Sequence, residues 1–422
     1  MTYDTIVIGG GPAGMIAAGR AAELGARVLL LEKNAKLGKK LLITGGGRCN
    51  ITNAELDVRK MVAKYGPKGK ALFGSFSRFG VTETLEFFHA HGLPTKVEAE
   101  KRAFPQSNKA EDVWKTLVQY LKDGKVAIQY NSPVSGIQTN DGKVTGIRVG
   151  NKILTAKNYI IATGGKSRPE TGSTGEGFAW MRNIGHKVEE QEAVLVPVTT
   201  QEKWQKDLSG LSFTSAKLTI LQDGKKLESK TDKLLFTHFG LSGPLVLNMS
   251  KNIRELFTYA PVTLELDLFP ELDAVTLDKK VLGVLTQAFN KKIRNNLGDL
   301  VPPKMISTLL SLVKIDPEKT CNTVTKAERA ELVKHLKSLR LTVTGFLGTD
   351  KAITTSGGVS LKEIDFKTMR SKLYKNLYLA GDILDFDRPS GGFSLQICWT
   401  TGYLAGDNTP LKQTLTQLEV NI

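Results

Sequence analysis

The feature that most constrains the fold is a pattern of apolar runs and glycines at residues 4–33. An apolar run at residues 6–8 is typical of a fully buried strand and ends at three consecutive glycines. An Ala-rich segment with helical spacing follows and ends near Gly25, and a second apolar run at residues 28–31 ends on Glu32. The pattern predicts a strand, a glycine turn, a helix and a second strand.

The glycines at the turn have the spacing Gly9-x-Gly11-x-x-Gly14. At this spacing Gly9 permits a tight turn, Gly11 lets the backbone approach a pyrophosphate, and Gly14 lets the helix pack close to the strand. The helix N-terminus then offers free N–H groups and a positive dipole end to the phosphates. Because the flanking strands and helix are also predicted, the motif indicates a dinucleotide site.

Glu32 stands at the end of the second predicted strand, where a carboxylate accepts hydrogen bonds from a ribose diol. Its negative charge disfavours a 2′-phosphate, so NADP is not expected at this site. The pattern by itself leaves NAD and FAD open.

Length and hydropathy favour an ordinary globular protein of two or three domains, since 422 residues are enough for a sizeable core. No run of 18 or more apolar residues is present, so we expect no membrane span. The sequence enters a predicted strand directly, without the pattern of a signal peptide. We therefore expect a cytoplasmic protein.

The cysteines and histidines exclude two classes of site. Cys49, Cys321 and Cys398 stand alone without a C-x-x-C pair, which argues against structural disulfides and against a redox-active dithiol. The five histidines show no metal-ligand spacing, so we expect no metal site.

The net charge of +16 has two interpretations. One is a polyanionic partner such as RNA. The other is a generally basic surface, and it is favoured because the excess is spread along the chain without a tail or an Arg-rich tract.

A second glycine-rich loop lies at residues 45–47 and is followed by Arg48, Cys49 and Asn50. Its exposed N–H groups, with Arg48 and Lys40 as cationic donors, suit a second part of an extended dinucleotide. With this loop added to the first glycine motif, the chain resembles the BaiN-like flavoproteins, also called the aminoacetone oxidase family of FAD-binding enzymes. The resemblance rests on these stretches, which follow one another through nearly the whole chain: GGGPAGMIAA, GKKLLITGGGRCNITN, KRAFPQSNKAEDV, ATGG with GSTGEGF, FTHFGLSGP, TTSGGVSLKEID and LYLAGDILDFDRPSGGFSLQICWTTGYLAG.

The resemblance implies non-covalently bound FAD. It also implies an α/β fold with a doubly wound, glutathione-reductase-like Rossmann domain for the cofactor. A strand at residues 378–380 that ends on Gly381 and Asp382 resembles the second FAD fingerprint of such domains. Many family members have Tyr-Asn where this chain has Phe393 and Ser394, which weakens any role for those two side chains. The predicted cofactor-binding residues are Gly9, Gly11, Pro12, Ala13, Gly14, Glu32, Lys33, Lys40, Gly45, Gly46, Arg48, Cys49, Asn50, Val134, Thr163, Gly164, Gly381, Asp382, Gly391, Gly392, Phe393 and Ser394.

The predicted domain organisation places the FAD domain in two segments, residues 1–188 and 350–422. A β-rich domain with a helical part, residues 189–349, is inserted between them. Its strand patterns lie within residues 194–270, and its helices are predicted at 276–297, 303–313 and 325–338.

In the first FAD segment we expect helices around 82–92 and 109–122, with Thr82 or Asn108 as capping residues, and a hairpin turn at residues 140–142. The last helix is predicted from Leu395 to Leu404. The segment at 172–177 is interpreted as a turn and a helix start, because no strand and no following acid accompany its glycines. No second GxGxxG unit is found, so we expect no dedicated nicotinamide domain.

Three functions remain open. The first is oxidation of a small amine such as aminoacetone, with hydride transfer to flavin N5. The second is a flavin-dependent reductase of uridine in ribosomal RNA, with NAD(P)H bound transiently at the flavin face. A flavin-carrying binding protein is the third and the least favoured. His238 and Cys49 lie in family motifs, but the sequence assigns no catalytic residue and no oligomeric state.

Overall fold

The computed structural model describes residues 2–347 and 354–409. The chain divides into two compact units. Unit 1 is formed by residues 1–193 together with residues 353–422, and unit 2 by residues 194–352.

The strands of the described residues are numbered in chain order. They are β1 Tyr3–Ile8, β2 Val28–Leu31, β3 Thr52–Asn53, β4 Thr95–Glu98, β5 Arg102–Pro105, β6 Ala127–Gln129, β7 Val134–Asn140, β8 Lys143–Val149, β9 Lys152–Leu154, β10 Ala156–Ile161, β11 Val188–Val194, β12 Val198–Thr200, β13 Ser212–Gln222, β14 Lys225–Thr237, β15 Gly240–Ser242, β16 Thr263–Asp267, β17 Leu339–Phe346, β18 Thr354–Val359, β19 Ile364–Asp365, β20 Arg370–Ser371 and β21 Leu377–Leu379.

The α-helices are numbered in the same way. They are α1 Pro12–Glu23, α2 Lys39–Ile43, α3 Val58–Ala63, α4 Phe73–Phe76, α5 Val81–Ala90, α6 Ala110–Asp123, α7 Glu176–Asn183, α8 Pro244–Phe257, α9 Ala274–Gln287, α10 Pro303–Val313, α11 Lys326–Lys337 and α12 Phe393–Asp407.

Unit 1 is built on a seven-stranded sheet with the order β19-β20-β21-β10-β1-β2-β6. The strands from β21 to β6 are parallel, and β19 and β20 extend one side in antiparallel fashion. The strand, helix and strand predicted for residues 4–33 are present as β1, α1 and β2. The apolar side chains at residues 6–8 are buried, as expected of a strand inside a parallel sheet.

The first and last helices of unit 1 pack closely against each other. A Cβ on Gly402 would overlap the carbonyl oxygen of Ala13, and a Cβ on Gly406 would overlap that of Ala17. The two glycines therefore let α12 cross α1 at short range. The helix that follows the first glycine motif is thus held by the last helix of the described chain.

A hairpin and two helices of unit 1 lie where the sequence predicted them, but the residues that cap the helices differ from the predicted ones. The hairpin predicted at residues 140–142 is confirmed by the pairing of Asn140 with Lys143 in β7 and β8.

The helices predicted near 82–92 and 109–122 are α5 and α6. Thr82 and Asn108 were expected to cap them, and this is wrong. The capping positions are Gly80 and Lys109, and the Glu83 carboxylate accepts a hydrogen bond from the backbone N–H of Gly80 at 2.8 Å.

Unit 2 contains a closed antiparallel barrel with the order β12-β15-β14-β13-β16-β17. Its strand patterns were recognised from the sequence, but closure was not, because closure depends on the pairing of β12 with β17 across a long stretch of chain. The helices α9–α11 follow the predicted positions, whereas α8 lies in a stretch for which only strands were predicted. The helix predicted at 276–297 is shorter than expected and ends at Gln287.

One buried carboxylate connects strands of the barrel by hydrogen bonds. Glu265 on β16 accepts hydrogen bonds from Lys226 at 2.9 Å, from Ser338 at 2.7 Å and from Arg340 at 2.9 Å. Burial opposes its ionisation, but these hydrogen bonds prevail and lower the pKa of Glu265 to about 2. Because the carboxylate is favoured in the folded state, its contribution to stability is present above the ordinary pKa of 4.5 and is lost as the pH falls towards 2.

We expect Glu265→Gln to lower the free energy of unfolding by about 1–2 kcal/mol at pH 7. This value allows for solvent screening, since Lys226 and Arg340 are largely exposed. The difference from the parent should shrink between pH 4.5 and pH 2 in urea unfolding experiments. The matched control Glu271→Gln removes an exposed carboxylate of unit 2 and should stay within about 0.5 kcal/mol. Equal effects of the two substitutions at every pH would contradict the assignment.

Candidate functional site

In the first glycine loop, the space beside Gly9 and Gly14 is occupied by backbone atoms, whereas the space beside Gly11 is empty of protein atoms. Gly9 has a φ of +104°, and a Cβ there would lie 2.5 Å from the carbonyl oxygen of Ala162. A Cβ on Gly14 would overlap the carbonyl oxygen of Gly9, whereas a Cβ on Gly11 would have no atom within 4 Å. The loop therefore leaves free space at Gly11, where a pyrophosphate has to approach the backbone.

The N-terminus of α1 is suited to an anion. Gly11 is its capping residue, Pro12 and Ala13 open the helix, and no side chain caps it. No acidic residue lies in the first turn. The first N–H groups and the positive end of the helix dipole are therefore available to phosphate.

Glu32 is buried at the end of β2 and already has protein partners. Its Oε2 accepts from the backbone N–H of Gly10 at 2.9 Å, and its Oε1 accepts from the backbone and side-chain N–H groups of Asn34 at 2.8 and 2.7 Å. A carboxylate offers about four acceptor positions, so these three bonds leave capacity for a ribose hydroxyl. The ribose role of Glu32 stays a prediction.

Lys33 is directed towards the loop that precedes α7. Its Nζ lies 2.7 Å from Thr174 Oγ1 and 2.8 Å from Glu176 Oε2. The segment 172–177 forms a turn followed by α7, as predicted. Lys33 thus ties that turn to the end of β2, and its direct contact with a cofactor stays a prediction.

A cluster of charges surrounds Asp382, the acid of the second fingerprint. Lys40 Nζ lies 3.8 Å from Asp382 Oδ2 and donates to Ser167 Oγ at 2.8 Å. On the other side, Arg388 Nη1 lies 3.6 Å from Asp382 Oδ1. Burial lowers the pKa of Lys40, while Asp382 acts in the opposite direction. The arrangement places two cations beside the predicted cofactor acid.

Arg388 was missed by the sequence analysis. It is buried, and its Nη2 donates to the carbonyl oxygen of Leu384 at 2.9 Å. The only signal in the sequence was a single basic residue three positions before Gly391. Such a residue is ordinarily exposed, so its burial beside Asp382 is apparent only in the folded chain.

The loop at residues 44–50 holds five of the predicted residues, and their environments differ. Arg48 Nη2 lies 2.5 Å from both Glu98 Oε1 and Asn108 Oδ1, and its guanidinium stacks 4.0 Å from the Phe104 ring. Cys49 is buried at a φ of +59°. Gly45 and Gly46, with φ of +56° and +67°, shape the turn. The Arg48 side chain therefore has protein partners, and its cofactor role stays a prediction.

Three buried polar atoms in this region lack hydrogen-bond partners among the described residues. They are Asn50 Oδ1, Thr163 Oγ1 and Asp382 Oδ1. Such atoms are uncommon because an unsatisfied buried group costs about 1–3 kcal/mol. Thr163 directly follows β10, at the carboxyl end of the parallel sheet, where ligands bind in folds of this kind. The unsatisfied atoms and the open space at Gly11 fit an extended polar cofactor.

The glycines of the C-terminal segment bring the start of α12 to the same region. A Cβ on Gly381 would lie 2.9 Å from the Cβ of Ala13, and a Cβ on Gly392 would lie 2.7 Å from the backbone nitrogen of Asn53. Gly391 and Gly392 both have positive φ, and α12 then begins at Phe393, two residues before the predicted Leu395.

The remaining predicted residues have less specific surroundings. Val134 is buried in β7, and Gly164 has a φ of +76° next to Ser173. Phe393 is buried, with its ring 5.9 Å from Tyr65, and Ser394 is partly buried. These positions neither support nor oppose a direct cofactor contact.

No catalytic side chain emerges from the cysteines or from His238. Burial raises the pKa of Cys49 to about 12 and also raises the pKa of Cys398 and of Cys321. His238, in unit 2, is exposed, and its ring lies 4.9 Å from the Phe239 ring. Within residues 2–347 and 354–409, no group of three metal-binding side chains is assembled. None of the described helices combines the length and the apolar character that a membrane crossing requires.

We expect replacement of all three cysteines by alanine to preserve both FAD binding and turnover, because thiols with raised pKa values are poor nucleophiles at neutral pH. The measurement is flavin content together with anaerobic flavin reduction and reoxidation. Loss of turnover in a variant that keeps its FAD would instead indicate a thiol mechanism.

Comparison with known proteins identifies the family. The model of the HI0933-like protein Rossmann domain matches residues 3–408. The chain belongs to this family. It is 32% identical to the 3-dehydro-bile acid delta(4,6)-reductase of Clostridium scindens, over 95% of this chain and 97% of the relative. It is 26% identical to the ribosomal RNA dihydrouridine synthase of Escherichia coli, over 95% of this chain and 96% of the relative.

A solved structure supports the fold. The 3-ketosteroid-delta4-(5alpha)-dehydrogenase of Rhodococcus jostii RHA1 matches 97% of this chain and 96% of its own length, with a TM-score of 0.54 and 17% identity. The predicted family resemblance and the Rossmann-type FAD-binding fold are confirmed. The protein is an FAD-dependent oxidoreductase.

Proposed function

We propose that this protein is a flavin-dependent reductase that saturates a ring carbon–carbon double bond conjugated to a carbonyl group, and that its substrate is a uridine in ribosomal RNA. The observation that carries the proposal is similarity over 95% of the chain to relatives named for such reductions. A delta(4,6)-reductase and a dihydrouridine synthase both add two hydrogens across a ring double bond. The shared direction of these two reactions favours reduction over oxidation.

The residues near Asp382 suit the binding of FAD in this reaction. The N-terminus of α1 and the space at Gly11 would hold the pyrophosphate, and Glu32 would accept from the ribose. Lys40 and Arg388 flank Asp382 and keep the region positive, which favours a reduced, anionic flavin. When bound, FAD supplies the hydride.

The two electrons would come from NAD(P)H. No second GxGxxG unit follows in the sequence, so the nicotinamide would bind transiently beside the flavin rather than in a domain of its own. Reductases that alternate between a nicotinamide and a second substrate need only one such binding place.

Charge supports an anionic substrate such as RNA over a small amine. A net charge of +16 favours a polyanion and repels a cationic amine. Oxidation of a small amine, which the sequence analysis put first, stays a prediction. Neither relative described above is named for amine oxidation, which favours reduction over it.

A second candidate is reduction of a small cyclic enone acid. It is favoured by the 32% identity to the bile acid reductase, which exceeds the identity to the dihydrouridine synthase. Such a substrate is an anion too, so the net charge alone does not separate the two candidates.

The deciding experiment supplies the FAD-loaded protein with NAD(P)H under anaerobic conditions. One sample receives ribosomal RNA that lacks dihydrouridine, and another receives a 3-oxo steroid acid with double bonds in the ring. We expect mass spectrometry of digested RNA to reveal dihydrouridine and the steroid to remain unchanged. Reduction of the steroid alone would establish the second candidate, and flavin reduction by amines alone would restore the amine hypothesis.

A further inference from the structure

The segment after β3 is strongly basic. Residues 58–82 contain six basic residues and no acidic one. Two of the six have acidic partners, since Lys68 pairs with Asp385 and Arg78 with Asp407. The other four, Arg59, Lys60, Lys64 and Lys70, are exposed, and we call them the basic face.

The local fold gathers the basic face on one side. Lys60 and Lys64 are four residues apart at α3 and so point the same way. Met61 and Val62 of the same helix are buried, which directs the lysines to solvent. A Cβ on Gly69 would overlap the carbonyl oxygen of Val62, so the turn that carries Lys70 packs directly on α3.

The charges of the basic face are only partly offset nearby. None of its four residues forms an ion pair with another residue in the described part of the chain. Of the two nearest acids in sequence, Glu55 pairs with Lys101 at 2.6 Å. Asp57 caps α3 by accepting from the backbone N–H of Arg59 at 2.8 Å, and its charge acts on Arg59 and Lys60. Four exposed cations therefore face one unpaired carboxylate, and the surface carries a net positive charge.

An exposed aromatic ring follows directly. Phe73, at the start of α4, is 46% exposed, whereas Tyr65 and Phe76 of the same segment are buried and lie 5.6 Å apart. An exposed ring within a group of unpaired cations is the combination that binds single-stranded nucleic acid, because bases stack on the ring while cations hold the phosphates.

Residues 58–82 also form hydrogen bonds with the candidate cofactor site within unit 1. The Tyr65 hydroxyl donates to the carbonyl oxygen of Phe393 at 2.9 Å, at the first residue of α12. Lys68 Nζ donates to Asp385 Oδ1 at 2.5 Å, three residues after Asp382. The basic face and Phe73 thus belong to a segment that contacts the cofactor-binding loop directly.

We propose that the basic face binds backbone phosphates of the RNA strand that carries the target uridine, and that Phe73 stacks on a neighbouring base. The proposal rests on the RNA function proposed above. The proposed RNA function does not say where the RNA strand binds, and the present proposal assigns that surface.

The test compares two triple variants with the same change in net charge. Lys60→Gln, Lys64→Gln and Lys70→Gln remove most of the basic face. Lys122→Gln, Lys143→Gln and Lys152→Gln form the control, since these lysines are also exposed and form no ion pair with other described residues. Binding of a fluorescent single-stranded ribosomal RNA fragment is measured against salt, and dihydrouridine formation and FAD content are measured on the same samples.

We expect the basic-face variant to reduce the steepness of the log affinity against log salt plot by about 2, at about 0.7 for each lost phosphate contact. The control should keep the parent slope. Phe73→Ala should weaken binding about tenfold without changing the slope. All variants should retain FAD, because these side chains are exposed and none of them is a predicted cofactor-binding residue.

The outcomes separate the surface from the function. If the parent forms dihydrouridine but both triple variants bind and react alike, the RNA function stands and the basic face is wrong. If the parent neither binds nor reduces ribosomal RNA, both proposals fail. A lower slope only in the basic-face variant, with lower dihydrouridine formation, supports both.

Discussion

Gly11→Val is expected to leave the protein folded and to abolish FAD binding. Gly11 has a φ of −81° and a ψ of −175°, which valine adopts without strain, and a Cβ there meets no protein atom within 4 Å. The branched side chain would instead fill the space into which the pyrophosphate must fit. We expect the affinity for FAD to fall by about 100-fold or more, measured by flavin fluorescence after titration of the apoprotein.

The control for this substitution is Gly136→Val in β7. Gly136 also has no atom within 4 Å of an added Cβ, and it lies outside the glycine loop. We expect this variant to bind FAD like the parent. If Gly11→Val also retains FAD while folded, the pyrophosphate has been placed incorrectly.

Gly14→Ala is expected to act on the fold itself. Its Cβ would overlap the carbonyl oxygen of Gly9 and lie 3.3 Å from the Cβ of Ala162. Both neighbours belong to the sheet and its turn, so α1 would have to move away from the sheet. We expect a loss of about 3 kcal/mol or more in the free energy of unfolding, measured by urea unfolding of the apoprotein.

Gly74→Ala provides the comparison for a helical glycine in open space. An added Cβ there meets nothing within 4 Å, and Gly74 lies in α4. We expect a neutral result or a gain of up to about 1 kcal/mol, because alanine favours the helix. A stability of Gly14→Ala equal to that of the parent would show that α1 tolerates a wider separation from β1.

The sequence predicted the parts of the fold that depend on local pattern. β1, α1 and β2 follow from apolar runs and glycines within 30 residues, and the hairpin at residues 140–142 follows from its turn residues. The barrel of unit 2 was not predicted as closed, because closure requires β12 to pair with β17, far along the chain. Pattern identifies a strand, whereas its partner is decided by tertiary packing.

The candidate site shows the same contrast: residues in local motifs were predicted, and residues placed by tertiary packing were not. Gly9 and Gly14 were predicted from their motifs, and the structure shows the close backbone approaches that require glycine there. Gly381 was predicted in the same way, and there a positive φ of +79° and the nearby Cβ of Ala13 favour glycine. Arg388 was not predicted, since its burial depends on the fold of the entire loop after β21. Arg48 was expected beside a cofactor, yet its hydrogen bonds go to Glu98 and Asn108, partners that no local motif reveals.

The packing of α1 against α12 has a consequence for biosynthesis. The ribosome makes α1 early and α12 about 370 residues later, so roughly 20–70 s pass between them at about 5–20 residues per second. During that time the apolar surface of α1 lacks its partner. The barrel strands, by contrast, all lie within residues 198–346 and are complete before α12 is made. We therefore expect the nascent chain to need a chaperone for unit 1 and to acquire its cofactor only after α12 has left the ribosome.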